Sequence, residues 1–223
     1  MFNACCCAST CSIFQDDFNR ADDTNLGADW TEDSGSWAID GNTLKTSSAN
    51  AFCYYDVTQN DALYASYVSA GMSAIVSVKA TSSGSEAGIN SYQLSPAENL
   101  IVKIIFGASA SIVVMRGATV LLDCGTTAPV NTWVNLRIDY CGLLGDNFIA
   151  VWVDGVFIGT RFVYGVTPNI FSEETGCYVS SNTGDVYFDD FTIKENSTWG
   201  SYPVREECAV TTPPCYWPMT GTD

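Results

Sequence analysis

Histidine, the side chain that most enzymes use as a general base, is absent from this chain of 223 residues. Its absence excludes the Ser-His-Asp and Cys-His arrangements of nucleophilic catalysis. A zinc ion would have to be held without imidazole, by thiolates. The side chains left for chemistry or ligand binding are therefore cysteines, carboxylates and aromatic rings.

The ten cysteines are an even and high number, typical of an oxidising compartment, so disulfides are predicted for all of them. The spacing C-C-C-x3-C over residues 5–11 leaves a metal site of four thiolates as an alternative. Adjacent cysteines are poor partners for one another, so we predict at least one bridge from this group to the C-terminal tail. The cysteines are Cys5, Cys6, Cys7, Cys11, Cys53, Cys124, Cys141, Cys177, Cys208 and Cys215.

A bridge between Cys124 and Cys141 is disfavoured if residues 119–124 and 132–141 pair as a hairpin. Cys124 would then lie beside the turn and Cys141 at the far end of the hairpin. The separation would be several strand residues, which is beyond the reach of a disulfide.

Aromatic residues make up 13% of the chain, and rings that are exposed beside polar groups are what sugars dock on. Trp152, Tyr54 and Tyr92 lie on predicted strands or near their ends, and they are the candidate ligand-binding residues. The alternative is that these rings fill the interior of the fold, as aromatic side chains usually do.

Residues 132–158 predict two consecutive hairpins. Apolar residues alternate with polar ones from 135 to 140, which is the period-2 pattern of a half-buried strand. Asp154-Gly155 is a strong two-residue turn signal between the next two strands. The apolar faces of two hairpins are shielded from water only when a second layer packs against them.

The rest of the chain predicts short strands and no long helix, because apolar residues never keep helical spacing over ten residues. This pattern favours an all-β fold, a jelly-roll sandwich of two antiparallel sheets. Beyond the two hairpins, strands are predicted around an Asp40-Gly41 turn and at 51–57, 63–69, 72–79, 87–94, 100–106, 111–115, 119–123, 176–181 and 185–194.

The net charge is −16, with 9 basic and 25 acidic residues. So few lysines and arginines argue against nucleic-acid binding, and no apolar run reaches the length of a membrane span. The N-terminus lacks the charged and apolar regions of an export signal, although the cysteines indicate an extracellular protein. A virion protein released by lysis, or a mature chain given a start methionine, would reconcile the two observations.

Three motifs follow one another along the chain: residues 16–20 (DDFNR) with Trp30 and residues 35–39 (GSWAI), then residues 133–138 (WVNLRI) with 151–155 (VWVDG), then residues 186–191 (VYFDDF). In this order they resemble concanavalin A-like lectin/glucanase domains, and the middle motif resembles the laminin G-like hairpin. The resemblance implies a sandwich over residues 15–195. A cysteine-rich leader (1–14) and an irregular, proline-rich tail (196–223) lie outside it.

Catalytic members of that superfamily carry a Glu-x-Asp-x-x-Glu strand whose two glutamates act as nucleophile and acid/base. No glutamate of this chain stands in that pattern, and the adjacent pair Glu173-Glu174 falls in a predicted loop, where a solvated surface is expected. The resemblance therefore implies a non-catalytic member with no catalytic residues.

The same relatives often hold a structural calcium ion, and by position its ligands would be Asp17, Gly41 and Asp190. Oxygen ligands suit calcium rather than zinc. Strict alternation puts Asp190 on one strand face with Phe188, and Asp189 on the other with Phe191. One carboxylate would then face an apolar layer, where an unpaired charge is costly.

If no calcium binds, Arg20 or Lys194 must neutralise these carboxylates instead. A second alternative is that Asp189 and Asp190 border the sheet without any metal.

Two functions follow from these observations. The first is a non-catalytic module, extracellular or on a virion surface, that binds glycans or cell-surface polymers. The second is a structural virion or appendage subunit, a capsid decoration, tail or fibre protein. A homo-oligomer is expected in either case, and a glycoside hydrolase is the weakest alternative.

Overall fold

The structure, a computed structural model, describes residues 12–56, 72–92, 99–143, 146–163 and 174–195. Within those ranges the regular elements are fifteen β-strands and no helix. The strands are β1 (Ser12–Asp16), β2 (Thr31–Ser34), β3 (Trp37–Ile39), β4 (Leu44–Thr46), β5 (Ala51–Asp56), β6 (Met72–Ala80), β7 (Glu86–Tyr92), β8 (Leu100–Ile105), β9 (Ser111–Arg116), β10 (Thr119–Gly125), β11 (Val134–Leu143), β12 (Asp146–Val153), β13 (Val156–Val163), β14 (Glu174–Ser181) and β15 (Val186–Glu195).

These strands form two antiparallel sheets that pack face to face. The first sheet has the order β13-β12-β11-β6-β15-β4-β3, with β1 also paired to β15, and the second has the order β10-β9-β8-β7-β14-β5-β2. The predicted all-β sandwich of two antiparallel sheets is confirmed. β1 begins at Ser12, inside the predicted leader, and its pairing with β15 makes it part of the sandwich.

The core lies between the sheets, where every second residue points inward along the regular stretches of the strands. In β6 the inward residues Met72, Ala74, Val76, Val78 and Ala80 are buried, and the intervening ones are mostly half-buried. Burying each such valine contributes about 1.5–3 kcal/mol of stability. The alternation also decides which side chains point outward and can meet a ligand.

Two hairpin turns have the backbone that their sequences favour. Asp154 and Gly155 both have positive φ angles, 50° and 75°, between the paired residues Val153 and Val156. This is the primed two-residue turn that Asp-Gly predicts. At the β3–β4 turn the positive φ angles fall on Gly41 and Asn42, one residue later than the predicted Asp40-Gly41 pair.

Strand β15 departs from the strict alternation that the sequence predicted. Phe188 and Phe191 both point into the core, because the pairing with β6 shifts register between Asp189 and Thr192. The extra residue is Asp190, which is exposed and has a φ of 51°. The prediction that Phe188 and Phe191 face opposite ways is therefore wrong, and neither aspartate points into the core.

Residues 119–124 and 132–141 do not pair as a hairpin, so the predicted separation of Cys124 from Cys141 along one hairpin does not apply. β10, which carries Cys124, belongs to the second sheet, while β11, which carries Cys141, belongs to the first. Cys124 itself is buried and disulfide-bonded.

Cys53 and Cys177 are free thiols, so the prediction of disulfides at these two positions is wrong. They face each other across β5 and β14 in the core, and both are fully buried. Burial, with a hydrogen bond to Cys177, raises the pKa of Cys53 well above its ordinary value, so the thiol stays protonated. The predictions for Cys5, Cys6, Cys7, Cys11, Cys208 and Cys215, including the leader–tail bridge, lie outside the described residues.

Among the described residues, no helix has the length and apolar character needed to cross a membrane.

Candidate functional site

A row of alternating cations and aromatic rings crosses the outer face of the first sheet. Lys45 on β4, Tyr187 on β15 and Lys79 on β6 are register partners, and Trp133 directly precedes β11 beside Lys79. The Lys79 Nζ lies 4.5 Å from the centre of the Tyr187 ring and 4.6 Å from that of Trp133. We call these four side chains the cation–aromatic row. At about 4.8 Å per strand it spans roughly 14 Å.

The two lysines of this row differ in their charge partners. Lys45 Nζ lies 2.9 Å from an Asp40 carboxylate oxygen and 3.2 Å from one of Asp185. The hydrogen bonds to Asp40 and then to Asp185 raise the pKa of Lys45 above its ordinary value. Lys79 has no ion pair within the described ranges, and its nearest stabilising groups are the two aromatic rings. Trp133 is 38% exposed, more than any other tryptophan that the structure describes.

A second row, made of polar side chains, runs beside the first, two residues further along each strand. Asp189, Ser77 and Asn135 are register partners on β15, β6 and β11, and all three are half-buried. The Asn135 amide donates to the Ser77 hydroxyl at 3.5 Å, and the Asp154 carboxylate accepts from the Asn135 backbone N–H at 2.8 Å. Carboxylate, hydroxyl and amide groups are what sugar hydroxyls bind, and here they flank the exposed Trp133 ring and the half-buried Tyr187 ring.

The predicted ligand-binding residue Trp152 lies in a third row of the same face. The Arg137 guanidinium sits 4.7 Å from the centre of its ring, and Phe157 packs beside it at 5.5 Å. Arg137 also donates two hydrogen bonds, of 2.9 and 2.7 Å, to the buried carboxylate of Asp139. The hydroxyl of Ser73 donates a further one at 2.5 Å. Trp152 is therefore a half-buried ring, held by a fixed arginine.

The second sheet carries the other two predicted ligand-binding residues on the opposite side of the molecule. Tyr54 lies on the outer face of β5, where burial and then the charge of Glu174 raise the pKa of its hydroxyl. The backbone of Tyr92 ends β7 opposite Glu174, and its side chain lies outside the described part. Trp152, Tyr54 and Tyr92 therefore do not form one site.

Lys103 is the one cation on the outer face of the second sheet among the described strands, and it is paired. Its Nζ lies 2.6 Å from a Glu86 carboxylate oxygen, which also accepts from Ser180 at 2.6 Å. Burial acts to raise the pKa of Glu86, but the hydrogen bonds from Lys103 and Ser180 outweigh it, so the pKa lies below its ordinary value. Tyr178 beside it has a raised pKa, through burial and then the charge of Glu86.

The three predicted metal ligands belong to strands or turns along one edge of β15, which we call the β15 junction. This edge pairs first with β4 up to Phe188 and then with β1 from Phe191, leaving Asp189 and Asp190 between the two partners. Asp17 directly follows β1, and Gly41 lies in the turn before β4.

Negative charge accumulates at this junction. Burial, followed by the charges of Asp190, Asp17 and Asp16, raises the pKa of Asp189. Asp189 accepts a hydrogen bond from the Asp190 backbone N–H, and the described residues offer it no ion pair. No group of three or more Cys, Asp or Glu side chains in the described ranges has metal-binding geometry. An ion here would therefore need backbone carbonyls as well as carboxylates.

Arg20, one of the two predicted neutralising cations, forms an ion pair with Asp16. Its guanidinium lies 2.7 Å from one Asp16 oxygen, and the Trp30 indole donates to the other at 2.7 Å. Lys194, the other candidate, has no ion pair within the described residues. Neither cation neutralises Asp189.

The residues that sequence reasoning missed are Lys79, Trp133 and Tyr187. Trp133 follows Lys79 by 54 residues, and Tyr187 follows Trp133 by another 54. Only the register of the strands brings the three side chains together. Alternation did predict that Tyr187 points away from Phe188. No local signal indicated that Trp133 would be exposed.

No family model matches the chain, and no curated protein matches it. Among solved structures, it is similar to a carbohydrate-binding module, CBM66 from Bacillus subtilis, with a TM-score of 0.55 and 13% identity over 75% of this chain and 96% of that one. It is also similar to the carbohydrate recognition domain of Emp46p in a potassium-bound form, with a TM-score of 0.56 and 9% identity over 83% and 98% of the two chains.

A third similar structure is the GH43 protein BlXynB from Bacillus licheniformis, with a TM-score of 0.58 and 16% identity over 82% of this chain. The chain spans only 39% of the length of that protein. At such identities the likeness establishes the fold alone. That fold is a sandwich of two antiparallel β-sheets.

Proposed function

We propose that this chain is a non-catalytic carbohydrate-binding module, and that it binds glycans on the outer face of its first sheet. The observation that carries the proposal is the exposed Trp133 ring in the cation–aromatic row, with the polar row alongside it. Rings of this kind provide an apolar platform for the C–H faces of sugars, and polar groups beside them fix the orientation. The shared fold with carbohydrate-binding and lectin domains supports the same class of ligand.

We also propose that the protein binds a cation at the β15 junction. Asp190 supplies a carboxylate, Asp17 and Gly41 supply backbone carbonyls, and Asp189 adds charge that the described residues leave unneutralised. Oxygen donors and excess negative charge fit calcium. A bound calcium ion would neutralise the junction and hold Asp189, which is also a member of the polar row.

We further propose that the protein works outside the reducing cytosol, at a cell or virion surface. The disulfide at Cys124 supports this location, since such bonds persist in oxidising compartments.

Affinity electrophoresis tests the proposed binding directly. Gels would contain neutral polysaccharides (xylan, dextran, mannan) or uronate-bearing ones (polygalacturonate, alginate, hyaluronate), all with 1 mM calcium. We expect at least one polymer to retard the protein, and Trp133→Ala to abolish that retardation. Tyr54→Ala, on the opposite sheet, is the matched control and should run like the wild type. Retardation by none of the polymers, or loss with Tyr54→Ala alone, would refute the proposal.

A further inference from the structure

We infer that the cation–aromatic row selects acidic glycans, with Lys79 binding the carboxylate of a uronate unit while Trp133 and Tyr187 contact its ring. The inference rests on the proposed function and adds the class of glycan. The observation behind it is that the Lys79 ammonium lies between the Trp133 and Tyr187 rings.

The surroundings of Lys79 favour a carboxylate over a neutral group. Its ammonium lies within 4.6 Å of both ring centres and has no ion pair among the described residues. A sugar lying across the two rings would exclude water from the ammonium. Charge-assisted hydrogen bonds strengthen when water is excluded, so a carboxylate gains more from this position than a hydroxyl does.

The other charges of this face do not compete for the ligand's carboxylate. Lys45 is bound by Asp40 and Asp185, and Arg137 is bound by the buried Asp139. The hydroxyl of Ser47 donates to Asp185 at 2.6 Å, which fixes that carboxylate further. Lys79 is therefore the available positive charge in the row.

The distribution of charge over the whole molecule supports the same assignment. Four of the nine basic residues, Lys45, Lys79, Arg137 and Lys194, project from this one face, although the net charge is −16. Two of the four, Lys79 and Lys194, have no ion pair among the described residues, so an acidic polymer would find unpaired positive charge at these two positions. At physiological salt the repulsion from distant carboxylates is screened beyond about 8 Å.

A groove continues the row at the β3 edge of the sheet. It has a volume of about 720 Å³, and its lining includes Lys45, Trp37, the hydroxyl residues 46–48 and three aspartates, Asp22, Asp23 and Asp40. A chain of sugars lying along the row would reach this groove beyond Lys45, where its hydroxyls would meet carboxylate and hydroxyl acceptors. The row therefore fits an internal segment of a polymer and extends beyond a single sugar.

The test compares polymers that differ in charge alone. Affinity electrophoresis in 1 mM calcium would use polygalacturonate, alginate and hyaluronate, each beside its carboxyl-reduced form, which keeps the linkages and loses the charge. We expect at least one native polymer to retard the wild type, with retardation at least tenfold weaker for its reduced form. Lys79→Gln should weaken binding of the native polymer about tenfold and leave the reduced form unaffected.

Lys194→Gln is the matched control, since Lys194 projects from the same face, has no ion pair and contacts no ring. It should bind like the wild type. Equal retardation by native and reduced polymers, retardation by neutral polysaccharides alone, or equal losses in Lys79→Gln and Lys194→Gln would each overturn the inference while leaving carbohydrate binding in place. Retardation by no polymer of any kind would refute the inference together with the proposed function.

Discussion

The aromatic rings on the outer faces of the two sheets differ in their charged neighbours. On the first sheet, Trp133, Tyr187 and Trp152 each have a lysine or arginine within 6 Å of the ring. On the second sheet, the rings of Tyr54 and Tyr178 lie beside the carboxylates of Glu174 and Glu86, and burial, followed by these charges, raises the pKa values of their hydroxyls. The folds of the two sheets are alike, so this difference comes from the outward residues alone.

The comparison shows why only one face is a candidate for binding. A ring beside a cation can receive an anionic or hydroxyl-rich ligand, because the cation offers donors at the ring's edge. A tyrosine beside a carboxylate repels an anionic ligand. The Tyr187 hydroxyl does donate to the Asp185 carboxylate at 3.3 Å, but Lys45 pairs with that carboxylate and Lys79 lies against the ring. Four predictions test this difference, in descending order of expected effect.

The largest effect concerns calcium at the edge of the first sheet. Calcium at a hundredfold excess over its dissociation constant would stabilise the protein by about 2.7 kcal/mol, since it binds the folded state alone. We expect EDTA to lower the melting temperature of the wild type by roughly 5–10 °C. In Asp190→Asn the chelator should have little effect, and asparagine tolerates the positive φ of this position. An unchanged wild-type melting curve in EDTA would show that no such site exists.

Substitution of Asp139 by alanine tests whether ion pairing holds the first face together. The change leaves the Arg137 guanidinium and the Ser73 hydroxyl without their shared acceptor, so the free energy of unfolding should fall by about 2 kcal/mol. Urea denaturation measures this change. Asp33→Ala, at an exposed position of the second sheet, should change the same free energy by less than about 0.5 kcal/mol. Similar losses in the two variants would contradict the asymmetry between the faces.

A smaller effect is expected from the ion pair on the second face. The pKa of Glu86 lies below its ordinary value of 4.5, so the pair stabilises the fold above that pH and loses its contribution as the pH falls through the lowered pKa. Glu86→Gln should be less stable than the wild type by about 1 kcal/mol at pH 7. The gap should close below pH 4. A gap that stays constant down to pH 3 would show that the carboxylate charge contributes nothing.

The sequence predicted the parts of the fold that depend on local pattern. Alternation in residues 135–140 and the Asp154-Gly155 turn each depend on neighbouring residues, and both were predicted correctly. The bulge at Asp190 was missed, because a positive φ at a non-glycine residue leaves no clear mark in sequence. The even number of cysteines suggested complete pairing, whereas Cys53 and Cys177 behave as small core residues.

The candidate site was less predictable than the fold. Of the three candidate ligand-binding residues, Trp152 lies on the first sheet, whereas Tyr54 and Tyr92 lie on the second. The cation–aromatic row depends on the register between β15, β6 and β11, which long stretches of chain separate. Such non-local pairing cannot be deduced from periodicity.

The central claim, that ligand binds the first face and not the second, is tested most directly by NMR with an acidic oligosaccharide. In a titration of isotope-labelled protein with trigalacturonate in 1 mM calcium, we predict saturable shifts in the Trp133 indole and Tyr187 ring signals. The ring signals of Tyr54 and Tyr178 should stay in place. Saturable shifts of Tyr54 and Tyr178, with Trp133 and Tyr187 unchanged, would contradict the account.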